Sequence, residues 1–253
     1  MEKTHFADSL LTPFLSDEPA HHDSVIIFPG GGYDHVSTEK EGRLIAQALN
    51  HEGLNAFVLD YRVAPTHRDE IIRDSVRAVQ FIRFHNRVSG IGRQKLAVMG
   101  FSAGGHLALT EAEHWQESRS DDDSIASESG RPDALILCYP VVTFDDPYAH
   151  RNSRLNFLGR NDEDRKDLRI KYSAEKQVSS DLPPVFIWHC QGDASVPVEN
   201  SLMLDDALTE AGIDHKLTVY SGGAHGLGLA AGEKEISRWF PDCVSWLWEH
   251  GFT

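Results

Sequence analysis

Two patterns alternate along most of the chain: short runs dense in β-branched and other apolar residues, and longer stretches in which apolar residues recur every three or four positions. The short runs are Ser24–Phe28, Asn55–Asp60, Lys95–Met99, Ala134–Tyr139, Val185–Cys190 and His215–Tyr220. The helical stretches run over residues 37–51, 69–88, 105–113, 199–211 and 233–250 and fall between or after those strands. This order predicts an α/β fold in which βα units with right-handed crossovers surround a mostly parallel sheet. Leu10–Leu15 predicts an added edge strand, and no internal repeat occurs.

Two segments break the alternation. Residues 117–131, with Asp121, Asp122 and Asp123, are acidic and serine-rich and read as a solvated loop; three adjacent carboxylates on such a loop do not converge on one cation. Residues 143–181 exceed an ordinary connection between elements and leave the sheet at the carboxyl ends of its strands, where ligands bind in such folds. They are expected to form a small cap of short helices on a single domain spanning 1–253.

Composition narrows the partners. A formal charge of −15 over 253 residues and a pI near 5.3 argue against nucleic acid and anionic membranes, both of which call for clustered Lys and Arg. Cys138, Cys190 and Cys243 are scattered in apolar surroundings and read as reduced core thiols, with no metal site and no cofactor expected. The first residues lack an apolar leader and no run of eighteen apolar residues occurs, so the expected location is cytoplasmic and the expected partner a small molecule.

The chemistry centres on Gly100-Phe101-Ser102-Ala103-Gly104, which directly follows an apolar strand and directly precedes a helix. G-x-S-x-G by itself arises by chance in glycine-rich loops, but in this context it is the sequence form of a nucleophile elbow. The turn is tight enough to strain the serine backbone, and small residues at 100 and 104 relieve the collision. Asp193 sits in a turn after Val185–Cys190, where Gly-Asp is also a common self-bonded turn pair. His225 sits in the loop Ser221-Gly-Gly-Ala-His-Gly-Leu-Gly228 after the last strand, and Ser102, Asp193, His225 is the chain order such an elbow uses. His189 is the rival histidine and reads as a strand-end residue shaping the Asp193 turn. In Pro29-Gly-Gly-Gly-Tyr33 the N–H groups of Gly31 and Gly32, with that of Ala103, are candidates for an oxyanion hole. Without G-x-G-x-x-G spacing or a Walker lysine, a phosphate-cradling role for that loop is disfavoured.

Together, Pro29–Tyr33, Asp60-Tyr-Arg62, Gly100–His106, Gly192–Pro197 and Gly223–Gly226 resemble α/β-hydrolase esterases of the acetyl-xylan esterase or acetyl esterase type, relatives of the hormone-sensitive-lipase-like carboxylesterases. The resemblance covers nearly the whole chain from Val25. It implies an α/β-hydrolase fold, with Ser102 as nucleophile, His225 as base then acid, Asp193 as its orienter and no cofactor. One departure is Pro29, where the lipase-like branch usually carries His.

The expected activity is hydrolysis of short-chain carboxylic esters, including acetylated carbohydrates, through an acyl-enzyme. The alternatives are a small amidase, formamidase or peptidase-like hydrolase, or a non-catalytic ligand-binding protein, since fold alone does not carry function. Tyr33 and Phe101 are expected to line an acyl pocket, Arg62 to pair with Asp60, His106 to pack beneath the site, and Trp239, Trp246 and Trp248 to face the sheet. A homodimer is expected only by analogy with the fold.

Overall fold

The computed structural model describes residues 10–89, 94–117 and 124–253. Seven strands form one sheet: β1 (Leu11–Phe14), β2 (Ser24–Phe28), β3 (Asn55–Leu59), β4 (Leu96–Phe101), β5 (Ala134–Cys138), β6 (Val185–Cys190) and β7 (His215–Tyr220), in the order β1-β3-β2-β4-β5-β6-β7. Only β1 runs antiparallel, pairing Leu11 with Leu59 and Phe14 with Ala56 at the sheet edge. All other neighbours are parallel.

Successive strand side chains point to opposite faces, and the apolar runs fill two separate cores accordingly. Val25, Ile27, Ala97, Met99, Phe101, Ile136, Cys138, Phe186 and Trp188 face α1 (Leu44–His51) and α7 (Trp239–Glu249). Ile26, Phe28, Val98, Leu135, Leu137, Val185 and Ile187 face α2 (Arg68–Val88), α3 (Ala103–His114) and α6 (Glu199–Ala211). The three cysteines are free and buried. Trp239 and Trp246 pack on the sheet as expected, but Trp248 is half exposed, because two residues along a helix turn a side chain through roughly 200°. Arg62 is held by Asp74 and Glu70 of α2, its guanidinium lying 2.7 Å from Asp74 Oδ1.

Residues 143–181 contain α4 (Arg151–Leu158) and α5 (Lys166–Lys171). This insertion is anchored rather than draped. Asn200 accepts from the N–H groups of Val142 and Thr143 and donates to Tyr148 C=O, while Arg68 donates to Leu158 C=O. The acidic triplet Asp121–Asp123 lies outside the described residues.

The tightest point of the fold is where α3 leaves β4. A Cβ on Gly104 would come 2.0 Å from Phe28 O and 2.5 Å from Pro29 O, and one on Gly100 would come 2.3 Å from Gly104 O. All three neighbours are backbone and cannot swing aside. Gly104→Ala is therefore expected to cost about 3 kcal/mol or more. Gly212→Ala, at a left-handed position with open space, should cost only about 1–2 kcal/mol. Thermal unfolding of the two variants side by side checks the difference.

Candidate active site

Ser102 occupies the turn between β4 and α3 with φ 52° and ψ −118°, a strained conformation for a residue with a side chain. The strain is held by its surroundings. Its N–H donates to Cys138 C=O at 3.0 Å, and its own carbonyl accepts from Gly105, His106 and Val141. The residue is 5 % exposed.

His225 reaches the serine from the loop after β7, with Nε2 2.8 Å from Ser102 Oγ and Nδ1 2.6 Å from Asp193 Oδ2. Ionised Asp193 accepts only, so Nδ1 carries the imidazole proton and Nε2 offers its lone pair to the serine hydroxyl. Oδ1 of Asp193 accepts the N–H groups of Ser195 and Val196, each at 2.9 Å. Burial works against the charge on Asp193, but hydrogen bonds from His189, His225 and the Val196 N–H outweigh it and hold the carboxyl well below the ordinary range. His189 lies 3.4 Å from Asp193 Oδ2 while bonding Val196 C=O and the Ser201 hydroxyl, which fixes the turn.

Gly31 (φ 132°) and Gly32 (φ 63°) leave β2 beside the elbow in conformations that favour glycine. Among the described residues, the N–H groups of Gly31, Gly32 and Ala103 donate no hydrogen bond. The loop is braced on every side: Tyr61 donates to Pro29 C=O at 2.6 Å, Glu41 accepts from Gly30 N–H at 2.9 Å, and Asn156 of α4 donates to Gly32 C=O at 2.9 Å.

Tyr33 and Phe101 do not line an open surface; both are fully buried. Tyr33 turns under the loop, donates to His106 Nδ1 at 2.7 Å and packs on Phe157. Phe101 points through the sheet to Tyr139 and Trp239. His106 lies beneath the site, donating from Nε2 to Tyr172 C=O and stacked on Phe144. The sequence reading missed Glu41, Tyr139, Asn156 and His150. His150 caps α4 with Nδ1 2.7 Å from Ser153 Oγ, and its Cε1 would lie 3.9 Å from a Cβ on Gly32.

The BD-FAE family model matches residues 14–208. The chain belongs to the BD-FAE family. Its relatives include endo-1,4-beta-xylanase B of Butyrivibrio fibrisolvens, 38 % identical over 88 % of this chain and 35 % of that protein. The acetylxylan esterase of Xylanibacter ruminicola is 32 % identical over 92 % of this chain and 47 % of that protein. The chain thus spans between a third and a half of the length of these curated relatives. The crystal structure of an acetyl ester-xyloside bifunctional hydrolase from Caldicellulosiruptor lactoaceticus superposes with a TM-score of 0.88 at 37 % identity, covering 96 % of this chain and 88 % of the other. This BD-FAE chain has the α/β-hydrolase fold, and no helix among its described residues is long and apolar enough to cross a membrane.

His106 makes one consequence measurable. Burial, foremost, lowers its pKa to about 4 in the folded protein, against 6.5 for an ordinary histidine. The unfolded chain binds this proton first as the pH drops, so stability present above pH 6.5 is lost progressively down to about pH 4, by roughly 3 kcal/mol. Chemical denaturation of wild type and His106→Gln at pH 7 and pH 4.5 should show a shallower pH dependence in the variant. Equal slopes would contradict this.

Proposed function

We propose that this protein is a serine esterase that removes short acyl groups, acetyl foremost, from polyhydroxylated alcohols such as carbohydrates. The observation that carries the proposal is the continuous line from Ser102 Oγ through His225 to Asp193, set beside three unengaged N–H groups. Ester hydrolysis is supported by the esterases among its relatives, and a carbohydrate alcohol by the acetylxylan esterase and the acetyl ester-xyloside hydrolase.

In the reaction, Ser102 Oγ attacks the ester carbonyl as His225 Nε2 takes the hydroxyl proton. The carbonyl oxygen becomes an oxyanion that accepts from Gly31, Gly32 and Ala103, the last standing at the positive end of α3. Asp193, kept ionised by hydrogen bonds from His189, His225 and the Val196 N–H, faces the imidazolium. Collapse of the intermediate breaks the bond to the alcohol oxygen, which takes the proton from Nε2. A water then repeats the sequence on the acyl-serine, with His225 as base, and releases the carboxylic acid and Ser102.

The polar edge of α4 favours a hydroxyl-bearing alcohol. Because Nδ1 of His150 accepts from Ser153, its Nε2 carries a proton free to donate to such a substrate. The competing formamidase and amidase readings draw on the same line of residues, and no specific contact favours them.

Turnover of p-nitrophenyl esters from acetyl to octanoyl is expected to be greatest with acetyl. Ser102→Ala should lower kcat by about a million-fold and Asp193→Asn by about 10⁴-fold. A wild-type protein inert on every ester, yet active on N-formyl amides, would overturn the proposal. His150→Ala should raise KM for acetylated xylose about fivefold, the worth of one hydrogen bond of about 1 kcal/mol, and leave p-nitrophenyl acetate unaffected. Equal effects on both substrates would remove His150 from the alcohol site.

A further inference from the structure

Glu41 is a buried acid that the proposed chemistry does not use. It lies in the π-helical turn Glu39–Arg43 that precedes α1, and while Glu39, Lys40 and Arg43 are exposed, Glu41 and Gly42 turn inward. Turns of this kind recur at functional sites because the extra residue redirects side chains. Glu41 is 5 % exposed, and its two oxygens serve different loops. Oε2 accepts from Gly30 N–H at 2.9 Å, and Oε1 accepts from the Tyr139 hydroxyl at 2.6 Å. The Tyr139 oxygen in turn accepts from Gly228 N–H at 3.0 Å, and Gly228 C=O accepts from Trp239 Nε1.

A buried chain of hydrogen bonds therefore runs from the residue before Gly31 to the residue three beyond His225. The Tyr139 ring also packs edge-on against the His225 ring, with centroids 5.0 Å apart. We infer that Glu41 and Tyr139 are positioning residues, a strut that sets the oxyanion loop and the His225 loop at their working separation. This rests on the hydrolytic role proposed above for what the two loops do, while the strut itself rests on the contacts just given.

The donor inventory explains why a carboxylate is needed. Gly30 and Tyr139 both donate toward Glu41, and Tyr139 already accepts from Gly228. A glutamine has one accepting oxygen; its NH₂ would meet the Tyr139 hydroxyl donor to donor unless that hydroxyl turned away, and turning away leaves its proton without an acceptor. Burial and the neighbouring Glu41 raise the Tyr139 pKa well above its ordinary value, so the hydroxyl keeps the proton it donates. Close approach is built in as well, since a Cβ on Gly30 would come 2.7 Å from Glu41 Oε2.

The test compares Glu41→Gln, Tyr139→Phe and the double variant on p-nitrophenyl acetate. Tyr139→Phe keeps the ring against His225 and removes only the hydroxyl. Each single variant is expected to lose up to about 100-fold in kcat with KM nearly unchanged, as displaced reacting groups do, and the double variant to be no worse than the poorer single. Unchanged kcat in a folded single variant, a loss carried by KM, or losses that multiply would overturn the inference. So would failure of both single variants to fold, because the pair would then serve the fold and not the site.

Amide hydrogen exchange separates this from the proposed activity. Tyr139→Phe should speed exchange at Gly30, which Tyr139 does not bond but Glu41 does. If the wild type hydrolyses no ester, the proposed function fails while the exchange measurement still decides the strut, and an unchanged Gly30 rate overturns it.

Discussion

The close approach of the elbow to the end of β2 is the constraint on which the site depends. Ser102 adopts a positive φ only because the chain reverses from β4 into α3 within a single residue, and that reversal drives Gly104 against the carbonyls of Phe28 and Pro29. β2 and β4 are hydrogen-bonded neighbours, pairing Phe28 with Gly100, so the loop leaving one strand is pressed against the turn leaving the other. The tightness that strains the serine therefore also presses Gly30 against it, a Cβ on Gly30 coming 3.0 Å from both Phe101 O and Ser102 Cβ. Strain of roughly 1–3 kcal/mol at one residue is tolerable in a domain whose two cores hold the flanking strands from both faces.

Parallel strands do the remaining placement. Because β4, β6 and β7 all run the same way, the turns bearing Ser102, Asp193 and His225 emerge at one end of the sheet. β5 lies between β4 and β6, and Tyr139, just past the end of β5, packs its ring against His225, Trp188 and Phe101. A flat residue at positive φ suits this position, since it spans from the floor of the sheet to the back of the histidine loop.

Much of this was legible in the sequence and some was not, for physical reasons. Apolar runs of five or six residues mark strands buried on both faces, and punctuation by Gly, Pro and Asp marks the loops that carry Ser102, Asp193, His225, Gly31 and Gly32. Side-chain direction beyond a strand end is another matter. Tyr33 directly follows Gly32 and Phe101 directly precedes Ser102, yet one turns under its loop and the other continues the strand alternation through the sheet. Glu41 was hidden by its company: in Glu39-Lys-Glu-Gly-Arg43 nothing but the π-helical turn distinguishes the inward carboxylate from three outward charges. Trp248 misled in the opposite sense, being aromatic like its helix neighbours but on the far side of the helix.

The distribution of charge gives two of the buried carboxylates, Asp193 and Glu41, different work. Asp193 has its charge held by hydrogen bonds from His189 and His225 and by the N–H groups of its own turn, Oδ1 facing that turn and Oδ2 facing His225. Glu41 lies next to a loop that would have to welcome negative charge on a substrate, where a bare carboxylate would be harmful. Its charge is instead directed into the Gly30 N–H and the Tyr139 hydroxyl. The first donor of the glycine loop is thereby used for bracing, and the next two are left without an acceptor, as the proposed reaction requires of its oxyanion donors. A loop of three glycines is flexible by nature. In the proposed reaction, fixing one of its N–H groups to a buried acid would aim the other two before any substrate arrives, and preorganised donors stabilise a developing charge without having to reorient.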